Sequence, residues 1–277
     1  MRRLAALATY VAVLLVAALA TNAVAAKAPP APRRIAAKGS FSVCMDISFP
    51  PMEYFATPGS TKPIGFDVDL ATAVAKLWGV KAKFVGTAFT GLLPALQAGR
   101  CTVVWSGIFV TPDRTKSFPA VGYMKTHRAL LVQGGNPKKI KKPADLSGKT
   151  VATEAGTKYV DALNALDAQL KAAGKPGLNI QTYPKASDAV AQLVVGRADA
   201  VLTQDTEAAF RIGQLKGKIE IAYLYPQSDT FGVYYRKQNP AIGPGLRTAI
   251  AALKANGTVK RLANKYHLPL GDFGLKK

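Results

Sequence analysis

Cysteine, histidine and tryptophan are nearly missing from this chain, with two of each among 277 residues. That scarcity excludes several chemistries. His127 and His267 have no ligand spacing to Cys44 or Cys101, so no metal cluster is expected. No Ser–His–Asp or Cys–His arrangement and no phosphate-binding glycine loop can be picked out, so no catalytic residue and no cofactor are expected. Beyond the N-terminal segment no apolar run is long enough to span a bilayer, and the mature chain is expected to be soluble. Internal repeats and long low-complexity tracts are missing as well.

Acidic residues are scarce too: 16 Asp and Glu stand against 37 Lys and Arg, a formal charge of +21. Such an excess suits nucleic acid or an anionic surface. Yet the lysines are dispersed. Lys138, Lys139, Lys141 and Lys142 form the densest group, and no aromatic side chains interleave them. The excess is read as a solvated surface that favours contact with an anionic envelope.

The one long apolar run is N-terminal. Arg2 and Arg3 precede an apolar stretch over residues 4–20, and small residues follow at Ala23, Val24, Ala25 and Ala26. This is the pattern of a cleaved secretory signal peptide over residues 1–26. Thr9, Tyr10 and Thr21 dilute the run, which argues against a membrane anchor, and no cysteine follows it to carry a lipid. Removal takes away only Arg2 and Arg3, leaving 35 basic against 16 acidic residues. Export to the periplasm also removes nucleic acid as a partner. Residues 27–38, rich in Pro, Ala and Lys, read as a disordered leader. In an exported chain the even pair Cys44 and Cys101 permits a disulfide, and two buried thiols are the other reading.

The remaining stretch of about 240 residues is long for one core and comfortable for two. Strand-like runs at 81–85, 102–105, 128–133, 149–153, 179–183, 198–203 and 219–223 alternate with helical patterns at 92–97, 158–172, 188–195 and 206–214. Such alternation predicts mostly parallel sheet covered on both faces. Asp67 or Asp69 is placed to cap a helix with the apolar stripe Leu70, Val74 and Leu77, and Gly79 to end it. Ser187 and Gly196 bracket another helix. Thr111-Pro112-Asp113-Arg114 reads as an N-cap, a proline at the first helical position, and an arginine in the first turn. The helix dipole disfavours a cation there, so Arg114 is better explained by an anionic partner than by helix stability.

Seven segments in this order resemble the bacterial extracellular solute-binding proteins that serve polar amino acid uptake: FSVCMDISFPPMEY, GFDVDLA, FTGLLPALQAG, SGIFVTPDR, GKTVATEAGT, GRADAVLTQD and the closing helix KANGTVKRLANKY. The resemblance covers nearly all of the chain after Lys38. It implies the type II periplasmic binding protein fold, two α/β lobes joined by two hinge strands with the ligand cleft between them. The lobes are expected at 39–127, 128–227 and, returning to the first, 228–277, with crossings near 125–129 and 227–232. It also implies a monomer that delivers an amino acid to the membrane permease of an ABC transporter. A cyclohexadienyl dehydratase-like enzyme, with Glu207 as an acid in the cleft, and a receptor-docking sensor are the competing readings.

The same resemblance places the ligand-binding residues. Arg114 matches the arginine that holds the ligand carboxylate, and its planar fork suits that pairing. Ser106 and Gly107 lie beside it, and Thr157 with Lys158 opens a helix whose N–H groups form an anion site on the opposite wall. Lys158 replaces a small residue and is expected to point to solvent. Where relatives hold the ligand ammonium with an aspartate, Gln204 stands here with Asp205 next to it, and the two are taken jointly. Asp46, Phe49, Glu53 and Phe89 match cleft positions, although Phe49 and Phe89 also suit a core. Phe109 replaces a hydroxyl residue, and Glu154 stands where relatives read the distal group of the ligand. Three carboxylates, Asp46, Glu53 and Glu154, against one arginine predict a cationic side chain on the ligand, arginine, lysine or ornithine; if Glu53 and Glu154 face solvent or pair with nearby lysines, a neutral ligand such as glutamine is the other reading.

Overall fold

The computed structural model describes residues 29–276, so the expected signal peptide lies outside the described residues. The chain opens with a short helix, α1 (Arg33–Lys38), which buries Ile35 in the main core. This corrects the expected disordered leader at its C-terminal end, where one buried apolar side chain, Ile35, docks a turn and a half of helix.

Three parallel strands follow: β1 (Ser40–Met45), β2 (Lys81–Gly86) and β3 (Val103–Val104), with β1 between the other two. Helix α2 (Phe66–Leu77) connects β1 to β2, and α3 (Leu92–Gln97) connects β2 to β3. Neither Asp67 nor Asp69 caps α2; Gly65 does, at φ 134°. A Cβ at Gly65 would lie 2.1 Å from the Met52 carbonyl oxygen, so only glycine fits this approach. Asp67 is instead buried inside the lobe, and Asp69 accepts from Tyr266 at 2.8 Å and Lys265 at 2.7 Å. Helix α4 (Pro112–Ser117) begins as expected, with Thr111 accepting from the Arg114 N–H at 3.4 Å.

Two long strands then join the halves. Strand β4 (Ala120–Gln133) and, near the end of the chain, β8 (Ile219–Tyr235) pair antiparallel over their whole length. The C-terminal end of β8 joins β3, and the C-terminal half of β4 joins β7 (Ala200–Gln204). The segments expected to cross between lobes lie opposite each other, with Lys125 beside Thr230 and His127 beside Ser228. Strands β5 (Thr150–Glu154) and β6 (Asn179–Tyr183) complete a parallel group with β7, giving the order β2-β1-β3-β8-β4-β7-β5-β6. The sheet is thus parallel on both flanks and antiparallel in the middle.

Helices α5 (Lys158–Ala172), α6 (Ala186–Val194) and α7 (Asp205–Leu215) fill the second half. Lys185, not Ser187, precedes α6, and Gly196 follows it at φ 77°. The expected closing helix is two, α8 (Ile242–Ala255) and α9 (Thr258–Lys265), broken at Gly257 in the left-handed region. Cys44 and Cys101 form a disulfide with Cα atoms 5.6 Å apart, because β1 and β3 are neighbours and Cys101 lies two residues before the latter. No helix among the described residues is long and apolar enough to cross a membrane.

Candidate functional site

A narrow cleft lies between the halves, at the carboxyl ends of β1, β3, β5 and β7. It takes its walls from both. Twelve of the thirteen residues expected there line it, and Asp205 does not.

The first-half wall is organised by buried carboxyls. Asp46, one residue past β1, accepts the Phe89 N–H at 2.8 Å, and its own N–H donates to Ser106 Oγ at 2.8 Å. The Ser106 hydroxyl donates in turn to Oε1 of Glu53 at 2.9 Å. The Gly107 N–H donates to Asp67 Oδ2 at 3.0 Å, and the Tyr123 hydroxyl donates to the same oxygen at 2.7 Å. The donors of Ser106 and Gly107, expected near the ligand carboxylate, are therefore committed to Glu53 and Asp67. Burial, then the neighbouring Asp67, pushes Glu53 well above the usual carboxyl range, and burial raises Asp67 to about 6. Burial and the neighbouring Asp67 thus disfavour the charged form of Glu53.

Arg114 leans across the gap. Its Nη1 donates to the Phe109 carbonyl at 3.1 Å, its Nη2 to the Gly156 carbonyl at 3.4 Å, and its guanidinium lies 5.6 Å from the centre of the Phe89 ring. Among the described residues it has no carboxylate partner. A surface ion pair, the alternative role for this residue, is thus not what holds it. Carbonyl contacts leave its charge uncompensated in a partly desolvated wall, which favours an anion arriving from solvent.

Phe109 stacks on Phe231 with ring centres 5.6 Å apart, and Tyr159 of α5 meets it edge-on at 5.7 Å. Phe49 packs edge-on against Phe231 and belongs to the core while also lining the cavity, so its two readings hold together. Tyr159 was not among the expected residues. It lines the cavity with its hydroxyl buried and unpartnered, and only its place in the first turn of α5, beside Thr157, could have signalled it.

The second-half wall carries acceptors. Thr157 precedes α5, and its hydroxyl donates to the Glu154 carbonyl at 2.7 Å. Lys158, expected to point to solvent, instead lines the cavity and pairs with Asp161 at 2.7 Å and, across the gap, with Asp113 at 3.5 Å, its side chain only 25% exposed. The Glu154 side chain is buried, and its Oε1 meets no donor among the described residues. Burial first, then the charges of Asp46 and Glu207, push its carboxyl well above the usual range. Gln204 ends β7, and its Oε1 is likewise buried and without a donor. Asp205 faces away, accepting from the Thr126 hydroxyl at 2.7 Å and from the Thr206 N–H at 2.8 Å. Of the adjacent pair, only Gln204 reaches the cavity. Glu207 lies behind it, bound by Thr203 and by both Nε and Nη2 of Arg211, lining a separate void with Glu154 and Tyr159. The arrangement offers one arginine, a neighbouring helix N-terminus, four aromatic rings and three unpartnered carboxyl or amide oxygens, Glu53 Oε2, Glu154 Oε1 and Gln204 Oε1.

Residues 41–269 match the family described as bacterial extracellular solute-binding proteins, family 3. The L-cystine-binding protein TcyJ of Escherichia coli is 27% identical over 234 residues, covering 84% of each chain. Two solved structures are similar at 30% identity. One is an ancestral arginine-binding protein bound to arginine, with a TM-score of 0.75 over 82% of this chain and 98% of that one. The other is an ancestral amino acid-binding protein described as a precursor of cyclohexadienyl dehydratase, with a TM-score of 0.76 over 84% of this chain and 98% of that one.

Proposed function

Because the chain belongs to family 3 of the bacterial extracellular solute-binding proteins, with the type II periplasmic fold of its structural relatives, we propose that it captures a cationic amino acid and presents it to an ABC permease. The supporting observation is the imbalance of the cavity. Arg114 is its one cation without a partner, while Asp46, Glu154 and Gln204 supply acceptors. Arg114, with the N–H groups opening α5, takes the ligand carboxylate. Gln204 accepts from the ammonium, and the aromatic rings flank an aliphatic stem or a guanidinium. Glu53 is tied to Ser106 and Asp67, so Asp46 and Glu154 are the carboxyls that remain to receive a positive side chain, while the ligand carboxylate goes to Arg114.

Capture proceeds by closure of the two halves about β4 and β8, in the monomer, with ligand contacts from both walls stabilising the closed form. No bond in the ligand is broken. A thermal-shift screen of free amino acids tests the reading, since a bound ligand raises apparent stability. L-Arginine, L-lysine or L-ornithine is expected to give the largest shift. A larger shift with L-glutamate or L-cystine sinks the cationic assignment, and no shift with any amino acid sinks the whole reading. The dehydratase-like alternative has the buried acids Glu154 and Glu207 in its favour. Turnover of prephenate or arogenate by the purified protein would establish it.

A further inference from the structure

Asp46 follows the last residue of β1 and Glu154 is the last residue of β5, so the two carboxyls belong to opposite walls of the cleft. They face each other within hydrogen-bonding reach, and both side chains are buried. Two ionised carboxylates at that separation in a partly dry cleft repel strongly, so without a cation between them the pair favours holding a proton. We propose that Asp46 and Glu154 form an electrostatic gate across the cleft: at neutral pH the halves close on a ligand that brings a positive group between the two carboxyls, and that group takes the place of the shared proton. The inference rests on the cleft being an amino acid site and adds how that site selects.

The other groups around the pair do not perform this neutralisation. Asp46 spends one oxygen on the Phe89 N–H, has Ser48 beside it, and sees the exposed Lys185 only through space. Glu154 faces the Ala186 N–H at the start of α6 and the carboxyl of Glu207, which Arg211 and Thr203 already bind. Glu53 is tied to Ser106 and Asp67. Tyr159 offers a neutral hydroxyl whose own ionisation is pushed well above its usual range by burial. Lys158, the nearest lysine in sequence to Glu154, is turned to Asp113 and Asp161. The unpartnered Oε1 of Glu154 is thus left for the ligand's positive side chain, apart from the Gln204 oxygen assigned to its ammonium.

The exchange balances simply. In the empty closed form one proton lies between the carboxyls. An ammonium or guanidinium enters with all its own protons, the shared proton leaves to the buffer, and no covalent bond in the ligand changes. A neutral side chain leaves the pair dependent on its proton, and an anionic one adds a third charge.

Calorimetric titration of the full protein with free L-arginine near neutral pH, in two buffers of different ionisation enthalpy, tests the gate. The apparent enthalpy is expected to differ between buffers by the amount that proton release requires. Glu154→Gln is expected to erase that difference and to cut the preference for L-arginine over L-glutamine by about tenfold or more. Asp46→Asn, which keeps an acceptor for Phe89, should do the same from the opposite wall. Binding of L-arginine by the wild-type protein with no buffer dependence overturns the gate and leaves the amino acid reading standing. A folded Glu154→Gln or Asp46→Asn variant that retains both the buffer difference and the preference overturns it equally. If no amino acid binds the wild-type protein, the amino acid reading falls and the gate with it.

Discussion

Gln204 and Asp205 are consecutive, yet Gln204 turns its amide into the cleft while Asp205 turns its carboxylate to the Thr126 hydroxyl, 2.7 Å away on β4. The change of direction falls where β7 ends and α7 begins, because the first helical residue points away from the side that the last strand residue faces. Two separable effects follow. Gln204→Ala should weaken ligand binding by about tenfold, the effect of removing one acceptor from a charged donor. Asp205→Asn should leave affinity within about twofold and lower stability by roughly 1 kcal/mol through its bond to Thr126. Calorimetry and chemical denaturation of the two variants decide the matter, and a reversed pattern would return the ammonium to Asp205.

Arg114→Ala should reduce affinity by about a hundredfold or more, the usual effect of deleting one member of a desolvated charge pair. The fold should survive, since the guanidinium contacts only two carbonyls and an aromatic face. Unchanged affinity beside a normal circular dichroism spectrum would remove Arg114 from the site.

The Glu53–Asp67 pair makes stability depend on pH. In the unfolded chain these groups titrate near 4.5 and 3.8, whereas in the folded protein burial raises both, Asp67 to about 6. The folded state therefore holds protons that the unfolded chain has released. This contribution is fully present below the unfolded values; the share of Asp67 is lost as pH rises through about 6, and that of Glu53 as pH rises through its own raised value. Glu53→Gln keeps an acceptor for Ser106 without the titration. Its melting temperature should gain on that of the wild type as pH rises from about 4 to about 7. A difference that stays constant across this range would show that Glu53 titrates normally.

Local rules reached the elements whose determinants are themselves local. Thr111-Pro112 announced α4, and Arg114 stood out because a cation in a first helical turn needs a reason. Asp67 misled for the same cause. Two residues beyond Gly65 it looks like a cap, and its real partners are Gly107 and Tyr123, 40 and 56 residues along the chain. Ser106 reads as a ligand hydroxyl until Glu53, 53 residues before it, is folded against it. Strands β4 and β8 were seen only over their apolar ends, because polar residues such as Thr126, Asp229 and Ser228 carry the pairing through the crossing. A hinge has little core to bury and so leaves little hydrophobic pattern. The two cysteines could not be paired before the register of β1 and β3 was known.

That disulfide carries the last prediction. It links the end of β1 to the approach to β3 across 57 residues of sequence, and both cysteines are buried within a satellite core with Leu92, Leu96, Val104 and Tyr234. Closing a loop of that length restricts the unfolded chain and is worth about 2–4 kcal/mol. The double variant Cys44→Ala/Cys101→Ala should lose about that much in chemical denaturation. Its affinity should change far less, because neither sulfur touches the cleft and β1 remains paired with β2 along six residues. Reductant alone should act slowly on the folded protein, since Cys44 and Cys101 are almost fully shielded, and quickly once denaturant opens the core. Equal stability of the oxidised protein and the double variant would mean that the satellite core, rather than the covalent link, holds α3 against the sheet.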